Sequence, residues 1–182
     1  MFTEYTGNRQ FDLQLNRTFA PILDRVGMDT IATTTLPNIR STKQITTLAQ
    51  RLAERFSSEG DADAAWRLYE LAAFYLGADD PHKRRFIDAM SASFDEAHKG
   101  LSLTRHAVPY RGGELTAMRW EADSTGRAQA PEGTPRTLIM MNGFDGYAEE
   151  IIDFASHFPT RPFDIITFDG PGQGHTAAAG MP

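Results

Sequence analysis

Residues 136–174 read RTLIMMNGFDGYAEEIIDFASHFPTRPFDIITFDGPGQG, and this stretch decides the fold. An apolar run, Leu138 to Met141, stops at Asn142-Gly143, and an amphipathic segment follows from Tyr147. A second apolar run, Ile165 to Phe168, stops at Asp169-Gly170. Short apolar runs bounded by turn residues, with a helical period between them, predict strand, helix and parallel strand: a βαβ unit. In such sheets ligands sit beyond the carboxyl ends of the strands. Both carboxyl ends here carry an acid among glycines, so candidate site residues gather at Asn142–Gly146 and Asp169–Gly174.

Upstream of this unit, Leu103–Tyr110 and Glu114–Trp120 are short extended runs joined by Arg111-Gly112-Gly113, a hairpin signal. Residues 124–135 (STGRAQAPEGTP) read as a polar loop. Before Gly100 the periodicity is helical throughout. One helix spans the region from Phe11, with Pro21 kinking or ending it and Gly27 as a stop. Ser41 with Gln44 forms a capping box, Asp61 caps a strongly apolar helix, and Asp80-Pro81 opens another that ends before Lys99-Gly100. Met28–Arg40 lacks a period and reads as a loop, and no helix is expected after the last strand. The expected fold is α/β: an all-helical region over residues 1–100, then the first strands of a sheet over 101–182. Parallel sheets are normally covered on both faces, so two parallel strands plus a hairpin are expected to be an incomplete sheet.

Composition narrows the function. Charged residues make up 23% and hydrophobic residues 41%, which places the chain among ordinary globular proteins. The net charge of -6, without a basic block, argues against nucleic acid or anionic lipid as partner. Cysteine is absent, which removes thiolate metal sites and cysteine nucleophiles and fits a reducing compartment. No apolar run approaches the ~20 residues of a membrane span, and the N-terminus lacks signal-peptide character. A cytoplasmic location is expected.

Each candidate motif has a bland explanation beside it. The glycines of Asn142-Gly143-Phe144-Asp145-Gly146 permit positive φ and close approach, and the N–H groups ahead of a helix suit an oxyanion; equally, they make a tight turn and Asp145 caps the helix. Phe168-Asp169-Gly170-Pro171-Gly172-Gln173-Gly174 lacks the Lys-Ser/Thr of a phosphate loop, and His175 stands where the dinucleotide fingerprint needs glycine, which leaves a nucleotide-binding rival weak. His175 itself reads as solvated, and Glu149-Glu150 read as helix-start acids. The histidines show no metal-ligand spacing, so neither metal nor other cofactor is expected. The Gly-x-Ser-x-Gly elbow is absent.

At these two turns the chain resembles the α/β-hydrolase superfamily, in the branch whose catalytic domain follows a helical cap domain. That branch includes dihydroxypseudooxynicotine hydrolase and hydrolases that shorten polyketide pigment precursors. The resemblance is carried by Met141 to Gly146 with Glu149-Glu150, and by Thr167 to Gly174. It implies that the Phe144 N–H is one arm of an oxyanion hole, that Gly143 allows close approach, and that Asp145 faces the substrate as an assisting acid. It also implies that Asp169 and Gly170 border the pocket. Asn142 departs from the glycine many members carry. The family's serine, acid and histidine are not among these residues, so the expectation is an N-terminal part of a hydrolase acting on a small-molecule carbonyl substrate, inactive alone. The resemblance admits a homodimer. The rival from another class is a non-catalytic helical interaction module with a vestigial sheet.

Overall fold

The computed structural model describes residues 2–129, 131–133 and 136–181. It divides into two units, Met1–Ala97 and His98–Pro182.

The first unit is helical. Helix α1 (Arg9–Phe19) starts at Asn8, whose side chain accepts from the Gln10 and Phe11 N–H groups. It gives way at Pro21 to a 3-10 turn, Ala20–Ile22. The segment expected as a loop is instead coiled: α2 (Met28–Thr30), a π turn (Ile31–Thr35) and a 3-10 turn (Leu36–Asn38). Burial of Met28 and Leu36 anchors it, while Thr33 and Thr34 hydroxyls donate back to the Asp29 and Thr30 carbonyls. Helix α3 (Thr42–Glu59) opens on Ser41, whose Oγ accepts from the Gln44 N–H, and closes on Gly60 at φ 81°. Helix α4 (Ala62–Phe74) is capped by Asp61, and α5 (Pro81–Ala97) follows Asp80, which accepts from the His82 N–H. Helix α4 packs against both α3 and α5, and its Trp66 meets Phe94 edge-on at 5.4 Å between buried ring centroids. Trp66 is therefore core, as its helical spacing suggests.

The second unit holds a mixed sheet in the order β1-β2-β4-β3. Strands β1 (Leu103–Tyr110) and β2 (Gly113–Trp120) form the expected hairpin, pairing Tyr110 with Gly113 across Arg111 (φ 45°) and Gly112 (φ 83°). Two successive left-handed residues make the turn whose twist suits a hairpin. Strand β4 (Asp164–Phe168) runs antiparallel to β2 and parallel to β3 (Thr137–Met140), with α7 (Ala148–Ser156) crossing between the parallel pair.

Two expectations fail here. Part of the polar loop is a short helix, α6 (Ser124–Gln129), while residues 130, 134 and 135 of that loop lie outside the described residues. A further helix, α8 (Gly174–Ala178), does follow the last strand. Both are held by tertiary bonds rather than by a periodic apolar face. The Thr176 hydroxyl donates to the Asp169 carbonyl and accepts from the Thr116 N–H, which ties α8 to β2. Near α6, Asp164 accepts from Arg119, Arg127 and the Ala122 N–H, joining the start of β4 to the segment that leaves β2.

Candidate functional site

The carboxyl ends of β3 and β4 lead into the two turns singled out by sequence, and hydrogen bonds join those turns. The first is a β-turn: the Gly146 N–H donates to the Gly143 carbonyl at 3.2 Å. Neither Phe144 nor Asp145 has positive φ, which leaves a type I turn. Gly143 and Gly146 also stay out of the left-handed region, so their role is space rather than dihedral freedom. A Cβ on Gly146 would sit 2.1 Å from Asn142 Nδ2, whereas one on Gly143 would meet nothing closer than Asp145 Oδ1 at 4.0 Å. Gly146 is small for the protein's own sake; Gly143 leaves open surface.

Asn142, the departure from the family pattern, pins the turn. Its Nδ2 donates to the Tyr147 carbonyl (3.1 Å) and its Oδ1 accepts from the Gly143 N–H (2.8 Å). The Phe144 N–H has no acceptor among the described residues, and its side chain is 82% exposed. Asp145 is exposed and does not cap α7. That role falls to Tyr147 with Glu150, whose Oε1 accepts from the Tyr147 N–H at 2.9 Å.

The second turn is built around a buried carboxylate. Asp169, 2% exposed, accepts from the Ala148 N–H (2.9 Å) and the His175 N–H (2.8 Å), so it clasps the starts of both α7 and α8. Gly174, at φ 42°, is required here, because a Cβ would lie 2.3 Å from Asp169 Oδ2. Beside it, Glu149 is wholly buried, with Oε1 bonded to His175 Nε2 (2.8 Å) and Arg105 Nη1 (2.9 Å). Its Oε2 is buried without a hydrogen-bond partner.

Burial pushes the Glu149 carboxyl up, but the His175 bond and the charges of His175 and Arg105 outweigh it and hold the group down at about 2. Asp169 goes the other way. Burial, reinforced by the Glu149 charge, lifts it to about 6 against its two backbone donors. Burial lowers His175, yet the bond to Glu149 and the neighbouring acids raise it above its ordinary value.

His175 is therefore not solvated, and Glu149 is not merely a helix-start acid. Their spacing carries no signal, since the Arg105, Glu149 and His175 partners lie 44 and 26 residues apart in the chain. Gln173 was equally invisible. Its side chain donates to the Gly143 carbonyl (3.0 Å) and accepts from the Gly170 N–H (3.0 Å), bridging the two turns. Asp169 and Gly170 thus stand beside Gly143 through one intervening side chain. Among the described residues no group of histidine and carboxylate side chains could hold a metal ion. None of the described helices is long and apolar enough to cross a membrane.

No protein-family model matches the chain. Hydrolase acrC of Aspergillus aculeatus is 32% identical over 148 residues, covering 69% of this chain and 34% of that protein. Hydrolase LUC6 of a Fusarium species is 28% identical over 138 residues, covering 69% of this chain and 32% of its own length. The chain thus spans about a third of the curated relatives it matches. Among solved structures, wild-type AbyA5 superposes with a TM-score of 0.57 at 21% identity, over 89% of this chain and 46% of AbyA5. Together with the helical unit and small mixed sheet, these similarities give the chain an α/β-hydrolase-like relationship and part of that fold.

Proposed function

We propose that this chain supplies the oxyanion-receiving part of a serine hydrolase that cleaves a carbonyl substrate. The bond is a C–C bond beside a carbonyl, an ester or an amide, in a medium-sized substrate of aromatic or polyketide-like character. The Phe144 N–H is one oxyanion donor, Gly143 leaves room for the carbonyl to approach, and Asp145 assists proton transfer or orients a polar group. Asp169 and Gly170 border the pocket. The observation that carries this is the Gly143–Phe144 peptide: its N–H has no acceptor within the described residues, on an open surface that Gly143 keeps clear. An unengaged, preorganised backbone donor is what a tetrahedral oxyanion needs. It stabilises charge only after a nucleophile attacks, and these 182 residues contain no serine elbow. Hydrolysis therefore depends on a nucleophile from outside them. Strand β3 supports the same reading, because it stands at the edge of the sheet, where a further strand would pair, and its Ile139 is 63% exposed.

The test joins this chain to the elbow-bearing segment of hydrolase acrC and follows p-nitrophenyl ester hydrolysis. A folded fusion should turn over; a folded fusion with no turnover overturns the hydrolase reading. Phe144→Pro removes the N–H at a turn position where proline is favoured, and kcat should fall roughly 100- to 1,000-fold. Phe144→Leu, which keeps the N–H, should leave most of it. Equal rates for the two variants would remove Phe144 from the oxyanion hole.

A further inference from the structure

We propose that Gln173 is a positioning residue that aims and polarises the Phe144 amide; this rests on the oxyanion role proposed for that amide. The Gly143 carbonyl belongs to the same peptide plane as the Phe144 N–H, and the described chain has no cis peptide bond, so the two point in opposite directions. That carbonyl accepts twice, from the Gly146 N–H at 3.2 Å and from Gln173 Nε2 at 3.0 Å. Both of its lone pairs are engaged. The peptide plane is fixed from the carbonyl side, and the N–H is turned out of the turn toward open surface. Two donors on the carbonyl also draw electron density from the nitrogen, which makes the N–H a stronger donor.

The Gln173 carboxamide is itself held. Its Oε1 accepts from the Gly170 N–H at 3.0 Å, and that contact needs glycine, because a Cβ on Gly170 would lie 2.9 Å from the same oxygen. Asn142 completes the arrangement by taking the Gly143 N–H (2.8 Å), which leaves the Phe144 and Asp145 N–H groups as the unengaged donors at the turn's tip among the described residues. The group that grips the peptide is uncharged at every working pH, so its effect carries no titration of its own.

Gln173→Met removes both bonds at similar volume. In the 182-residue chain kept monomeric by Ile139→Lys it should shift the Phe144 amide nitrogen upfield, as the preceding carbonyl loses a donor, with little change across β1 and β2. An unmoved Phe144 resonance in the folded variant would overturn the contact. In the acrC fusion, Gln173→Met should lower kcat about tenfold with KM and the pH profile unchanged. A residue that merely staples two loops would instead alter KM or stability and leave kcat alone, and that result would overturn the proposal. The two readings fail separately. Indifference to Phe144→Pro defeats the oxyanion role, whereas sensitivity to Phe144→Pro with indifference to Gln173→Met defeats only the positioning role.

Discussion

At Glu149 a carboxylate with no solvent access keeps its charge because Arg105 and His175 both donate to one oxygen. Removing a donor leaves this buried charge undercompensated, so Arg105→Ala should destabilise the second unit by about 3–5 kcal/mol. Urea denaturation followed by Trp120 emission in a Trp66→Phe background measures this. The pH dependence follows from three shifts. Glu149 is held at about 2 against an ordinary 4.5, so its contribution is complete above 4.5 and is lost as pH falls toward 2. His175 is raised above 6.5, so its contribution is complete below 6.5 and is lost as pH rises through its raised value. Asp169, raised from 3.8 to about 6, contributes fully below 3.8 and loses that contribution as pH rises through 6. Stability should therefore peak at about pH 4, where the Glu149 contribution is nearly complete and the Asp169 loss has barely begun, and fall from there through neutrality. Substituting His175→Gln should flatten the neutral-to-alkaline limb, and Glu149→Gln the acid one. A maximum at alkaline pH would contradict the ion-pair assignment.

Among the elements, the turns divide into those written locally and those written by contact. The Arg111-Gly112 hairpin turn and the Ser41, Asp61 and Asp80 caps are local, because a residue's own backbone preference or short side chain satisfies the nearest orphan N–H groups. The Asn142–Gly146 turn depends on contact. Gly146→Ala would force Asn142 from its place, breaking its bonds to Tyr147 and Gly143 at a cost of about 1–3 kcal/mol. Hydrogen exchange at the Gly143 amide should speed up in that variant, while the Thr116 amide, bonded to Thr176, stays protected. The coiled segment at 28–38 was illegible for a related reason. Threonines that back-bond to carbonyls obscure the helical period, and two buried residues, Met28 and Leu36, carry it.

For the whole molecule, the open edge of β3 is the feature with the largest consequence in solution. An apolar edge strand offers unpaired backbone groups and side chains to any second strand, and Leu138, Ile139 and Met141 are all exposed here. The isolated chain should self-associate at micromolar concentration. Ile139→Lys should restore a monomer without changing the circular dichroism spectrum, which sedimentation velocity can check; unchanged association would place the contact elsewhere. The helical unit has its own core, with Leu15, Phe19, Ile45, Trp66, Ile87 and Phe94 buried.

Local pattern alone determined the helices between Ser41 and Gly100, the hairpin, the βαβ order and the two glycine turns. Each of these rests on side-chain periodicity or on backbone preferences that act within a few residues. Tertiary structure alone decided that β4 lies between β2 and β3, which leaves β3 at an edge. It also decided that Gln173 reaches Gly143 and that His175 and Arg105 converge on Glu149. Those pairings join residues 26 to 44 positions apart, across elements whose approach is set by packing. The Asn142–Gly146 turn is visible as a run of letters; that Gln173, 30 residues on, grips its Gly143 carbonyl is decided only by the packing of the elements.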